Sequence, residues 1–150
     1  MVISIGADHG GVAYKNKIVQ EFSKQGIEFK DVGSYEVDPG DNYAEISIRV
    51  GELVQKKEAD FGIMICRTGV GAVVMLNKMK GIRAGVLESV EAVYLARAKN
   101  NVNVLSFGAD NIGVGKAIKI VKKFLNTEFE GGRHNARLGV IADYEERHSK

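Results

Sequence analysis

Gly62-Ile63-Met64-Ile65-Cys66-Arg67-Thr68-Gly69-Val70-Gly71 is an apolar run that breaks into a glycine-rich loop at the only cysteine of the chain. Residues 61–65 have the length and composition of a buried strand, and residues 70–78 carry helical spacing behind the glycines. A strand that turns through glycine into a helix is the building unit of a parallel α/β sheet. In open sheets of that kind, ligands bind in the crevice beyond the carboxyl ends of the strands. Backbone N–H groups opening the next helix can hold an anion there, and the same field favours thiolate over thiol. A free cysteine is more often a buried, inert packing residue. The loop that follows Cys66 is what weighs toward chemistry.

The same alternation extends in both directions. Residues 2–5 read as a first strand ending at Gly6-Ala7-Asp8-His9-Gly10, followed by a helix over 12–24 that Gly26 stops. A second strand is expected at 27–32, then a polar loop over 34–42 and a helix over 43–56 with Ile46, Val50 and Leu53 on one face. Beyond the cysteine loop, strands are expected at 82–87 and 102–107 and helices at 90–98 and 112–125, the last with Ala117, Ile118, Val121 and Phe124 inward. A final helix over 135–146 precedes a polar tail. Five strands alternating with helices predict a Rossmann-like three-layer α/β/α sandwich on a five-stranded parallel sheet. All of residues 1–150 are expected to form one domain. A parallel sheet would gather Asp8, His9, Asp41, Cys66 with its loop, Glu88 and residues 108–110 along one edge.

Composition narrows the function. The chain has 150 residues, 45% hydrophobic and 27% charged, with a formal net charge of +2. Its basic residues are interspersed with acidic ones, which gives no footprint for nucleic acid or an acidic membrane. No run of about 18 apolar residues is present, and nothing in residues 1–5 reads as a signal peptide. One unpaired cysteine fits a reducing compartment, so a cytoplasmic location is expected. The spacings of one Cys and three His make no closed zinc site. Neither a Gly-x-Gly-x-x-Gly fingerprint nor a Walker loop is present, which weighs against a nucleotide-binding module.

Two constellations remain. A thiolate beside backbone N–H groups suits proton abstraction next to a carbonyl, with the amides stabilising the enediolate oxyanion. Arg67 and the helix start can both favour the thiolate, while Thr68 serves equally as a ligand or a local cap. Arg133 and Arg137, four apart at the start of a helix, share a face and can grip a phosphate in the bidentate manner of guanidinium. The competing reading of that pair is a solvated basic helix face.

Four segments in order resemble the ribose-5-phosphate isomerase B and galactose-6-phosphate isomerase family. They are Gly6-Ala7-Asp8-His9-Gly10, Cys66-Arg67-Thr68-Gly69-Val70-Gly71 with Asn77-Lys78 and Gly81-Ile82-Arg83-Ala84, Asn100-Asn101-Val102-Asn103, and Gly131-Gly132-Arg133-His134-x-x-Arg137. The resemblance implies a cofactor-free, metal-free aldose–ketose isomerase of a phosphorylated sugar, a homodimer or tetramer with sites shared between subunits. Ribose 5-phosphate is the simplest substrate it implies, with galactose 6-phosphate, allose 6-phosphate or a tetrose 4-phosphate as alternatives. A non-catalytic sugar-phosphate-binding subunit is a further alternative.

By position, Cys66 would be the proton-shuttling base, with Thr68 and the amides of Gly69, Val70 and Gly71 as the anion hole. His9, Arg133 and Arg137 would hold the phosphate, with His134 in support. Asp8 and Asn100 would meet sugar hydroxyls, and Asp41 and Arg67 would lie against substrate. The chain departs from the family pattern at several places. Lys99 stands where a ring-opening histidine is usual, Arg67 where a glycine is usual, and Asp110 where ribose-type members carry arginine. The usual Asp-Tyr-Pro has become Asp41-Asn42-Tyr43. Lys99 replaces the histidine as the acid, or the substrate is too short to close a furanose ring, or ring opening is left to solution. Arg67 is expected to add a cation where enediolate charge develops.

Overall fold

The computed structural model describes residues 1–149 and consists of one parallel sheet with helices on both faces. The elements are β1 (Val2–Ala7), α1 (Val12–Ser23), β2 (Glu28–Asp31), α2 (Tyr43–Gln55), β3 (Phe61–Cys66), α3 (Val70–Leu76), β4 (Ala84–Val86), α4 (Val90–Asn100), β5 (Val104–Gly108), α5 (Val114–Asn126) and α6 (His134–His148). The strand order is β2-β1-β3-β5-β4, every pair parallel. From β1 the chain steps outward to β2 and then returns to the other side as β3. The order therefore reverses between β1 and β3, where such sheets open a binding crevice.

Side-chain alternation along β3 sorts the core into two layers. Ile63 and Ile65 join the cluster built with α1, α4 and α5, including Ile18, Phe22, Val93, Ile120 and Phe124. Met64 and Cys66 face the other way, into Ile46 and Val50 of α2 and Ala72 and Leu76 of α3. The cysteine thus belongs to the α2/α3 layer.

The expected strands and helices are all present, with shifted ends. The outer strands are shorter than their apolar runs: β2 covers Glu28–Asp31 rather than 27–32, and β4 covers Ala84–Val86 rather than 82–87. Each is at an edge of the sheet and pairs on one side only, so its terminal residues pass into turns. β1, β3 and β5 lie inside the sheet and run one or two residues further at their carboxyl ends than expected, β3 through Cys66.

The correction with most consequence is α4, which continues past residue 98 to Asn100. Ser89 caps its start by accepting the Ala92 N–H, and Asn101 ends it in the left-handed conformation at φ 49°. Lys99 and Asn100 are therefore in the last turn of a helix, not in a loop. In α5 the fully buried isoleucine is Ile120, while Ile118 is only partly covered. The polar tail expected after 146 is still helical to His148; Lys150 lies outside the described residues.

One buried charge ties this frame together next to the crevice. Lys15 of α1 has no exposed surface, and its Nζ donates to both carboxylate oxygens of Asp31, at 2.9 and 2.7 Å. Asp31 also accepts the Gly33 N–H at 2.9 Å. Removing one partner of a buried pair leaves the other charge uncompensated. Asp31 retains 29% of its side-chain exposure, which moderates the loss. Lys15→Ala is expected to cost about 2–3 kcal/mol, near the low end for breaking such a pair. A melting temperature lower by about 5–10 °C in calorimetry would record that loss for a chain of this size; an unchanged value would show that Asp31 finds water instead.

Candidate active site at the reversal of strand order

The carboxyl ends of β1 and β3 are fastened to each other by the Asp8 N–H, which donates to the Ile65 carbonyl at 3.1 Å. That bond places Asp8 beside Cys66. The two line a cleft of about 350 Å³ together with Tyr43, Arg67, Thr68, Val70 and Gly71. Cys66 is 4% exposed and free. Its Sγ accepts the Gly69 N–H at 3.1 Å, a bond that stabilises negative charge on sulfur. Gly69 takes φ +81°, and a Cβ there would come within 3.0 Å of the Phe107 backbone, so only glycine fits the turn.

The loop is held from β5. Ala109 and Asp110 donate their N–H groups to the carbonyls of Cys66 and Arg67, at 2.9 and 3.0 Å. The buried Ser106 hydroxyl reaches the carbonyls of Met64 at 2.7 Å and Gly69 at 3.3 Å. Glu88 accepts from the Gly108 N–H and from Asn111 at 3.2 and 3.3 Å, closing the same edge.

The expected row of three loop amides is only partly available to a ligand. The Gly69 N–H is directed at the sulfur, and the Val70 N–H leans on Thr68 Oγ1 at 3.3 Å. Thr68 is thus a local cap that still lines the cleft.

Asp8 is 6% exposed, and burial pushes its carboxyl above the ordinary carboxylate range, against the Gly10 N–H it accepts and the charges of His9 and Arg67. Next to it, His9 Nδ1 meets Asp41 Oδ1 at 3.0 Å, and Ser34 Oγ donates to Asp41 Oδ2 at 2.7 Å. The hydrogen bond to Asp41 raises the His9 pKa, with the negative charges of Asp8 and Asp41 adding to it and burial and Arg67 opposing. Ligand atoms of Asp8, His9 and Asp41 lie within 4.8 Å of one another. Both Asp41 oxygens and His9 Nδ1 are already engaged in hydrogen bonds, so the trio is a closed polar cluster rather than an open donor set.

Arg67 does not contribute a free cation. Its Nε donates to Asp110 Oδ2 at 2.9 Å, and its stem crosses Gly10, whose Cβ would sit 2.5 Å from Arg67 Cγ. The two unusual residues of this chain at the cleft thus answer one another as an ion pair across its mouth.

The second constellation is elsewhere in the chain. α4 starts after β4 at the carboxyl edge and ends before β5, so Lys99 and Asn100 lie at the amino edge. They are separated from Cys66 by the length of β5, on the order of 16 Å for five residues. Asn100 lines a recess with Asn77, Arg83 and Leu138, and Lys99 is 3.8 Å from Glu130, which also approaches His134 at 3.5 Å. Arg133 and Arg137 are exposed at the start of α6 and belong to no ion pair among the described residues. Within one chain the cleft therefore gathers Asp8, His9, Asp41, Cys66, Arg67 and Thr68 but neither arginine of α6.

Sequence reading missed Ser34, Tyr43 and Ser106. Tyr43 lies with its ring against Gly71 in the cleft wall. Its one signal was its place directly after Asn42, the residue that caps α2 at this edge.

Comparison with known proteins bears on this arrangement. The model of the ribose/galactose isomerase family matches residues 3–141. Ribose-5-phosphate isomerase B of Escherichia coli is 38% identical over 145 residues, covering 97% of each chain. The solved structure of ribose-5-phosphate isomerase B from Clostridium thermocellum superposes with a TM-score of 0.96 at 38% identity, covering 99% of this chain and 100% of that one. That from Mycoplasma genitalium, solved with bound ribulose-5-phosphate, gives 0.93 at 36% identity over 97% and 96% of the two chains. With residues 3–141 matched by the family model and the whole α/β frame superposing on a solved relative, the chain belongs to the ribose/galactose isomerase family and is a sugar-phosphate aldose–ketose isomerase.

Proposed function

We propose that this protein interconverts ribose 5-phosphate and ribulose 5-phosphate, with Cys66 carrying the proton between C2 and C1. The observation that carries the reading is the Cys66 sulfur, recessed in the cleft, bonded to the Gly69 N–H and adjacent to Asp8. The thiolate removes the C2 proton of the open-chain aldose. Negative charge then builds on O1 of the enediolate, toward Thr68 and the Gly71 N–H at the start of α3. The thiol exchanges its proton with water and then delivers one to C1 as the C2 oxygen becomes the carbonyl, and the C2 hydroxyl proton passes to O1. Asp8, raised toward the neutral form by burial, holds the sugar hydroxyls.

The phosphate needs more positive charge than the cleft supplies, since Arg67 is answered by Asp110 and His9 is bonded to Asp41 through Nδ1, with its Nε2 alone facing a ligand. Arg133 and Arg137 are exposed without an acid partner among the described residues and can serve the cleft of a second copy, with Lys99 and Asn100 arriving from the same copy. The working unit is then a homodimer, or a tetramer made of two such dimers, in the reducing cytoplasm that a single free thiol suits. A tetrose phosphate is the alternative substrate. Lys99, near Glu130 and in place of the usual histidine, favours it if that amine cannot open a furanose ring.

Proton NMR in deuterium oxide, with ribose 5-phosphate and erythrose 4-phosphate in separate tubes, decides between them. Ketose formation from ribose 5-phosphate with deuterium entering at C1 is expected. Turnover of the tetrose alone would replace the substrate and keep the chemistry. Cys66→Ala is expected to lower kcat by about 10³-fold or more, in the range of a lost general base, while substrate still binds. A variant that keeps turnover would remove the thiol from the mechanism.

Subunit sharing has its own test. Cys66→Ala and Arg137→Ala proteins, each inactive, are mixed and allowed to exchange. If each cleft draws its arginine from the partner, half of the dimers are mixed and each has one intact cleft, which restores about a quarter of full activity. A mixture as inactive as its components would place both residues in one chain's site.

A further inference from the structure

We propose that Ser34 and Asp41 are positioning residues that hold the His9 ring with Nδ1 committed, leaving Nε2 to donate to the phosphate of the substrate. The inference rests on the reading of the cleft as a sugar-phosphate site and assigns Asp41 a different part from the substrate contact its position implied. The Asp41 side chain is 8% exposed, and neither oxygen is idle: Oδ1 meets His9 Nδ1 at 3.0 Å and Oδ2 accepts Ser34 Oγ at 2.7 Å. A carboxylate so occupied has little to offer a sugar. His9 by contrast keeps 32% of its side-chain surface and has no partner for Nε2 among the described residues. Three segments meet in this relay: the β1–α1 turn supplies His9, the stretch after β2 supplies Ser34, and the loop capping into α2 supplies Asp41.

The charges that face His9 are Asp41 from the α2 side, Asp8 from the end of β1 and Arg67 from the loop after β3. The two acids favour the imidazolium and Arg67 opposes it, and the Asp41 hydrogen bond is the largest influence. A histidine raised in this way keeps its charge above its ordinary titration range. Anion binding that uses the imidazolium is therefore complete below that range and is lost as pH climbs through the raised pKa. Ser34 matters because a carboxylate anchored at one oxygen cannot rotate its other oxygen away from the ring toward water.

The test uses the full-length protein labelled with ¹³C-histidine, whose Cε1–H signals number three, from His9, His134 and His148. His9→Asn assigns the His9 signal, and the other two serve as controls for an intact fold. Asp41→Asn and Ser34→Ala are both expected to lower the His9 titration midpoint, and Ser34→Thr, which keeps the hydroxyl, is expected to restore it.

Affinity for inorganic phosphate, and KM for ribose 5-phosphate, should then match the wild type below both measured His9 midpoints. Between the variant and wild-type midpoints they should weaken by about three- to tenfold in Ser34→Ala, the size of one charge-assisted hydrogen bond, with the loss falling on KM rather than kcat. A His9 midpoint unmoved by both variants would overturn the relay. So would an equal loss in both pH ranges, since that is what a simple clip between loops would give. A shifted midpoint with weakened phosphate binding and no turnover of any sugar phosphate would leave the relay standing and overturn the proposed reaction instead.

Discussion

The Asp8 N–H bonded to the Ile65 carbonyl is the contact on which the rest of the site depends. It is the last rung of the β1–β3 ladder, at the point where strand order reverses and the two following chains leave in opposite directions. Because the rung closes there, a carboxylate ending one strand and a thiol ending the other share a cleft, although 58 residues of chain separate them. A slip of one residue in this register would turn Cys66 into the α1/α4/α5 layer and Ile65 into the cleft. The turn after β5 guards against that slip: the Ala109 and Asp110 N–H groups hold the carbonyls of Cys66 and Arg67, and the Ser106 hydroxyl of β5 holds that of Gly69.

How far the sequence displayed this arrangement depends on where each signal is stored. β1, β3 and β5 are buried on both faces, so they stand out as unbroken apolar runs, and the cleft residues that end them were legible with them. The edge strands were blurred because they are short and their ends are set by pairing on one side only. α4 was cut short because Arg97, Lys99 and Asn100 look like a solvated exit from a helix. Arg97 is in fact buried, its guanidinium 4.6 Å from the Phe61 ring centre and 5.8 Å from that of Phe124, and it holds Asn101 and the Val102 carbonyl. A cation that packs on aromatic rings keeps the helix going where composition says it should stop. Ser34 carried no signal and Tyr43 only its place after Asn42, because their roles are side-chain contacts that no local pattern encodes.

Charge pairing was only half visible. Arg67 and Asp110 each look like a change in the electrostatics of the cleft when read singly, one adding a cation and the other an anion. The fold places them 2.9 Å apart, so the two changes largely cancel. Both side chains are at least half exposed, and a pair in that setting contributes little to stability. Its effect is on the field at the cleft mouth, where the guanidinium is kept beside the substrate path without leaving a free positive charge above the thiol.

The distribution of paired and unpaired cations is the physical ground for the proposed sharing of the site between two copies. At the carboxyl edge the acids Asp8, Asp41, Glu88 and Asp110 outnumber the cations His9 and Arg67, so this edge alone does not attract a doubly charged phosphate. At the amino edge Arg133 and Arg137 are presented on one face at the start of α6 with no acid to answer them among the described residues. Had those arginines been folded onto their own chain's cleft, the surrounding carboxylates would have neutralised them in the empty enzyme. In the proposed assembly they would meet the cleft only when a second copy delivers them, so the acid-rich edge of one copy would face the arginine-bearing edge of the other. The proton shuttle and the phosphate grip could then each be rigid on their own edge of the sheet, with subunit association setting the distance between them.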